Sequence, residues 1–185
     1  MEGSGNAATG SFVKLRHHGT LAGRVADMGI TKNREDARHR YLSGGMRKVQ
    51  GWLEPEAAIL ISQLADVQTV RGAVGEIGVH HGKLFLLLEL CRSAGEGAVA
   101  VDLFEMQDQN IDGSGRGNVK KFRRNLARFA ARPSDVVVHS ADSTRLATGS
   151  LLGLAGAPFR LFSVDGGHTA EITVSDLQLV AIPFN

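Results

Sequence analysis

Four residue types are scarce in this chain of 185 residues: one cysteine, one tryptophan, one tyrosine and four prolines. A lone Cys91 rules out an intrachain disulfide framework, so stability must come from an apolar core, and a reducing compartment fits best. Cys91 itself, in or just after the apolar stretch Leu84–Leu90, reads as a small buried hydrophobe. No apolar run approaches the roughly 20 residues that cross a bilayer, and the N-terminus lacks the apolar centre of a signal peptide. A cytoplasmic location with no membrane partner is expected. The formal charge of +2 is too small to imply a nucleic-acid partner. What is present, 43% hydrophobic and 22% charged residues, has the balance of a globular protein with one core of ordinary size.

Organisation follows from where apolar runs begin and end. Residues 1–20 are rich in Gly, Ser, Ala and Asn without periodicity and read as a mobile tail, followed by a helical N-terminal segment over 21–70. Within that segment, residues 32–48 are dominated by charge (Arg34, Arg38, Arg40, Arg47 and Lys48 against Glu35 and Asp36). They read as a solvated helix, or as an arm able to cover a cleft. Pro55 suits the first turn of a helix, whose stripe of Ala58, Ile59, Ile61, Leu64 and Val67 is expected to pack beside the first strand. From residue 71 to 185, strands and helices alternate. Strands are expected at Ala73–Ile77, Ala98–Phe104, Asp135–His139 and Phe159–Val164. Helices are expected at Lys83–Arg92, Val119–Ala131, Ser143–Leu154 and Thr169–Val180. Continuous apolar strands separated by helices predict an α/β fold, a Rossmann-like doubly wound parallel sheet with helices on both faces.

Such a sheet binds ligands at the carboxyl ends of its strands, and an acid follows each one: Glu76, Asp102, Asp142 and Asp165. The first turn, Val74-Gly75-Glu76-Ile77-Gly78-Val79-His80-His81-Gly82-Lys83, has the spacing Glu-x-Gly-x-x-x-Gly. Glycines admit a ligand close to the backbone, and the following helix offers free N–H groups. A carboxylate in that turn repels a pyrophosphate and favours an amine or sulfonium, which points to S-adenosylmethionine before NAD.

These blocks, with Val101-Asp102-Leu103-Phe104, the loop Asn110–Gly117 and Val164-Asp165-Gly166-Gly167-His168-Thr169, resemble class I S-adenosylmethionine-dependent methyltransferases. The similarity is to the bacterial group of macrocin-type sugar O-methyltransferases. The resemblance covers roughly residues 51 to 180 and implies methylation of a small-molecule hydroxyl, on a sugar or secondary metabolite. It implies that Glu76 and Gly78 line the methionine portion of the cofactor, with His81 and Gly82 in the same turn. Asp102 and Leu103 would meet the ribose, and Asp142 and Ser143 the adenine. Asp165 would be a cofactor contact and a magnesium ligand, with His168 the general base. Chains of this group continue into further strands, so the resemblance also implies a partial domain lacking the usual C-terminal strands, with a sheet edge open to a second copy. Two other functions stay open: a non-catalytic remnant that binds cofactor or a partner, and an NAD-dependent oxidoreductase.

Other polar clusters carry less. His80 and His81 are adjacent, so their side chains are expected to diverge and to line the loop rather than share a metal. His139, at a strand end, reads as structural. The basic run Lys120, Lys121, Arg123, Arg124, Arg128 and Arg132 reads as a solvated helix face, and nucleic acid is not an expected partner. The loop Asp108–Asn118, bearing Gly113, Gly115 and Gly117, has the composition of a lid. Its Asp108, Asn110 and Asp112 lack the downstream glutamate of a calcium loop.

Overall fold

A computed structural model describes residues 33–111 and 113–181; the expected tail at 1–20, the stretch 21–32 and Asp112 lie outside them. The described chain opens with helix α1 (33–40), a π turn at Tyr41–Gly45 and a 3-10 turn at Met46–Lys48. It continues with α2 (Pro55–Val67), β1 (Ala73–Ile77), α3 (Lys83–Cys91), β2 (Ala98–Asp102) and α4 (Val119–Phe129). Then come β3 (Val136–Ser140), α5 (Ser150–Ala155), β4 (Phe159–Val164) and α6 (Ala170–Val180). The strands form one parallel sheet in the order β3-β2-β1-β4. From β1 the chain winds outward through β2 and β3, then returns to the other side of β1. Strand order therefore reverses at the β1/β4 boundary, where an open α/β sheet leaves a crevice at its carboxyl edge.

The core divides by the alternation of side chains across the sheet. Val74, Ala98, Ala100, Val136, Val138 and Leu161 face the layer of α1 to α4. Ile77, Val99, Val101, Val137 and Phe162 face the opposite layer, with Leu151 of α5 and Leu179 of α6. Both faces of the sheet are covered, which is the doubly wound arrangement. Helix α3 lies deepest: every residue from Phe85 to Leu90 is buried. Asn118 caps α4 by accepting from Lys121 N–H, and Thr169 caps α6 by accepting from Ile172 N–H. No described helix is long and apolar enough to cross a membrane.

Three expectations are corrected. The charged stretch is a mostly exposed helix over residues 33–40, as one reading had it, but not an arm, because Tyr41 and Met46, and Val49 just beyond, are inserted in the core. Arg38 there is tied to Asp66 at 2.7 Å. In α2 the buried stripe is Ala58, Ser62 and Ala65, while Ile59, Leu60, Leu64 and Val67 are exposed. Small residues let α2 approach α3 closely, so the larger apolar ones turn outward. The helix expected at Ser143–Leu154 is two pieces, a 3-10 turn at Ser143–Arg145 and α5, parted by Gly149 at φ 81°.

Candidate functional site

The register brings the strand ends level. Ile77 pairs with Val101 and Val164, and Asp102 with Ser140. The ladder runs one step further through Gly78 N–H to Val101 O (2.8 Å), Asp165 N–H to Ile77 O (2.9 Å) and Ala141 N–H to Asp102 O (3.1 Å). Beyond these bonds lies a cavity of about 420 Å³, lined by Glu76, Gly78, Asp102, Leu103, Asp142, Ser143, Asp165 and His168. Eight of the ten expected site residues thus face one space. His81 and Gly82 do not line it.

Glu76 is the most informative wall residue. Its side chain is 2% exposed, and Oε2 has no hydrogen-bond partner. Burial, and after it the carboxylates of Asp165 and Asp102, holds its pKa well above the ordinary 4.5. A buried acceptor without a donor is costly and is what an incoming ammonium group would satisfy. Gly78, at φ +87°, passes so close to β4 that a Cβ there would overlap the Asp165 carbonyl. Only glycine permits that approach.

The two histidines do not diverge as expected. His80 adopts φ 51°, and its ring lies 3.8 Å from that of His81. His81 is 3% exposed with neither ring nitrogen paired. Burial, then His80, then Lys121 lowers its pKa from 6.5 to about 4. It is a neutral packing residue behind the cavity wall, held by Asn125 Nδ2 donating to its carbonyl at 2.9 Å. Gly82 caps α3.

Asp102 organises the neighbouring loops. Its Oδ2 accepts from His80 N–H at 2.7 Å and its Oδ1 from Phe104 N–H at 2.5 Å. Those donors belong to the two non-glycine residues with positive φ, His80 and Phe104, among the described residues. One carboxylate thus offsets the strain of two left-handed residues. Burial raises its pKa, and the two N–H donors oppose that rise. The loop after Asn110 crosses over it: a Cβ on Gly117 would stand 2.6 Å from Oδ1. Asn110 Nδ2 donates to the carbonyls of Ser114 (2.8 Å) and Gly115 (3.2 Å). Ser114 Oγ lies 3.1 Å from His168 Nδ1, joining this loop to the turn after β4.

On the far wall, Asp142 Oδ1 accepts from Thr144 N–H (3.0 Å) and Thr144 Oγ1 (2.7 Å). Asp142 therefore shapes the turn that presents Ser143. Asp165 and His168 are exposed, 3.7 Å apart. Among the described residues no group of three or more His, Cys, Asp or Glu is arranged to hold a metal ion. One exposed carboxylate is a poor match for a cation that wants several oxygens, so the donor set does not fit magnesium. The organic cofactor fits better: an orphan buried carboxylate, a second carboxylate with spare lone pairs, and two positions bare of Cβ.

Two exposed apolar side chains at the cavity were not among the expected site residues. Trp52, 77% exposed, stacks on His80 with centroids 5.4 Å apart and lines the cavity mouth. Ile111, equally exposed, lines it too. Ile111 belongs to the glycine-bearing loop read as a lid, which was the signal for it, whereas Trp52 lies outside the alternating strands and helices and its signal was only its singularity.

Fold and site together define a Rossmann-like α/β protein with an acid-lined ligand cavity at its switch point. Residues 76–182, more than half of the chain, match the family described as a methyltransferase domain, and the chain belongs to that family. Among solved structures that match is an O-methyltransferase from Bacillus cereus in complex with SAH. It is 16% identical with a TM-score of 0.48, covering 85% of this chain and 68% of that one. No curated protein matches.

Proposed function

We propose that this chain is an S-adenosylmethionine-dependent methyltransferase acting on a hydroxyl of a small molecule, a sugar or secondary metabolite, as its resemblance to the macrocin-type group implies. The observation that carries the reading is the buried Glu76 carboxyl, whose Oε2 has no hydrogen-bond partner, in a cavity that also holds Asp102. Glu76 receives the ammonium group of the methionine portion, and Gly78 lets that portion lie against the backbone. Asp102 accepts from the ribose hydroxyls with lone pairs left over from its two backbone bonds. Ser143 borders the adenine. The bound cofactor supplies an electrophilic methyl on a sulfonium.

In the transfer, the acceptor oxygen forms a bond to the methyl carbon as the carbon–sulfur bond breaks, and sulfur leaves as a neutral thioether. The acceptor's proton must go to a base. His168 takes it, oriented by Ser114 on one nitrogen and near Asp165 on the other. Most of the acceleration comes from alignment of the two reactants. Trp52 offers an exposed ring face at the mouth for the acceptor's ring to lie on.

Calorimetry with S-adenosylmethionine, S-adenosylhomocysteine and NADH tests the cofactor reading. Binding of the first two, with no competition from NADH, supports it. A folded protein that binds neither ends it. Binding without methyl transfer to any hydroxyl acceptor would make the chain a non-catalytic cofactor binder.

A further inference from the structure

A second concave site lies at the opposite end of α4. It is a cleft of about 640 Å³ between residues 33–48 and the end of α4, and it shares no lining residue with the first cavity. Five cationic side chains line it (Arg34, Arg40, Lys48, Arg128 and Arg132) and no acidic one does. Two of the five have local partners. Arg34 donates to the Arg92 carbonyl. Arg132 donates to the Ser93 carbonyl at 2.7 Å and lies 3.7 Å from Asp135. Arg40, Lys48 and Arg128 make no ion pair among the described residues, and Arg128 sits 5.0 Å over the Phe129 ring.

Basic side chains spread over a convex helix are ordinary. Cations gathered around a concavity repel one another, most where Arg34 and Arg132 are half-buried, and the arrangement is stabilised when an anion enters. The repulsion is visible at Arg34, whose pKa is lowered by burial and next by Arg132. Asp135 offsets part of the charge at Arg132, and Glu89 and Glu96 part of that at Arg34, but among the described residues no acidic side chain lines the cleft itself. Glu35 and Asp36 of α1 do not line it.

We propose that this cleft is a binding site for an oligophosphate group, either free or as the phosphate chain of a small ligand. Guanidinium forks match phosphate oxygens in paired hydrogen bonds. Five cations around one hollow exceed what a single phosphate would use. RNA is the less favoured occupant: unspecific single-strand binding needs exposed aromatic platforms. Here Phe129 is half-buried and Phe122 and Tyr41 are buried, while Trp52 lines the other cavity.

Calorimetric titration of the full chain with tripolyphosphate, orthophosphate and a short single-stranded RNA, at two salt concentrations, tests this. Circular dichroism and the unliganded thermal midpoint serve as fold controls. Tripolyphosphate is expected to bind one per chain and more tightly than orthophosphate. The double variant Arg40→Ala, Lys48→Ala should weaken it about tenfold per cation removed at unchanged thermal midpoint. Lys48→Glu, which keeps every packing contact of α4, should weaken it at least as much as Lys48→Ala. S-adenosylhomocysteine should not compete, since the two cavities are separate. No binding at low salt, or binding indifferent to these substitutions, overturns the proposal. RNA binding tighter than tripolyphosphate and lost in the same variants would replace it with a nucleic-acid site.

Discussion

At the scale of single residues, the site depends on atoms that are missing as much as on those present. Gly117 has no unusual dihedral to explain it; what it lacks is a Cβ, which would stand 2.6 Å from Asp102 Oδ1 and 3.2 Å from its Cγ. The carboxylate cannot simply retreat, because His80 and Phe104 N–H groups hold both of its oxygens. Gly117→Ala must therefore lift the loop or twist Asp102. Overpacking of this kind costs about 1–3 kcal/mol. Here the loop is peripheral to the core, so the cost falls on ligand binding rather than on unfolding. S-adenosylhomocysteine affinity is expected to drop about tenfold or more, with the thermal midpoint within a few degrees of the parent. A variant that binds normally would show that the loop does not close over Asp102 when the cavity is filled.

Among elements, α2 and the lower edge of the sheet show where sequence pattern and packing part company. Of the stripe expected to be buried, Ala58 and Ile61 do meet the core, but Ile59, Leu64 and Val67 turn outward and the helix packs through Ala58, Ser62 and Ala65. Leu60 and Leu64 stand about half exposed. The double variant Leu60→Lys, Leu64→Lys should change stability by about 0.5 kcal/mol or less per site. Ser62→Leu should cost about 1–3 kcal/mol by overpacking; denaturant melts compare them, and the reverse ranking would sink the assignment. The strands, by contrast, were legible. Ala73–Ile77 and Phe159–Val164 match their expected bounds, because a strand covered on both faces is mostly apolar, here interrupted only by Glu76 in the first and by Arg160 and Ser163 in the second. Hidden from any local pattern was the polar pinning at the amino edge. Arg92, 1% exposed, donates to Glu89 Oε1 (3.1 and 3.3 Å) and to the carbonyls of Glu96 and Arg132. Glu89 also accepts from Ala131 and Arg132 N–H. Glu89 and Glu96 are close to Arg92 in the chain, but Ala131 and Arg132 lie about forty residues away, so only the fold completes the network. Glu89→Ala strands a buried guanidinium and should cost about 3–5 kcal/mol in the melt, while S-adenosylhomocysteine affinity of the folded fraction is kept. A loss below about 1 kcal/mol would mean that water reaches Arg92.

For the molecule as a whole, the acids crowning the strands were readable from spacing alone, since each follows an apolar run. Their electrostatic coupling was not, because it depends on burial and register. The coupling sets a pH dependence. Glu76 has a folded-state pKa raised well above 4.5, chiefly by burial, then by Asp165 and Asp102. An acid that binds its proton more tightly when folded contributes stability at low pH and loses it as pH rises from about 4.5 toward the raised value. His81 has the opposite sign. Lowered from 6.5 to about 4 by burial and its neighbours, it loses stability as pH falls through that window. The two contributions oppose one another where their windows overlap, and the share of unliganded stability that comes from Glu76 declines as pH climbs toward its raised value. An ammonium group entering beside Glu76 reverses the balance by favouring the carboxylate, so binding should expel a proton and tighten with rising pH. Titrating S-adenosylhomocysteine in two buffers of different ionisation enthalpy, at a series of pH values upward from about 5, measures that release directly. In Glu76→Gln the release should vanish, and affinity should fall about 10–100-fold with the loss of a charged hydrogen bond. The unliganded protein should meanwhile gain stability at pH 8. If instead the parent binds without releasing a proton and Glu76→Gln binds equally well, the ammonium group is held elsewhere and the unpaired Oε2 has another purpose.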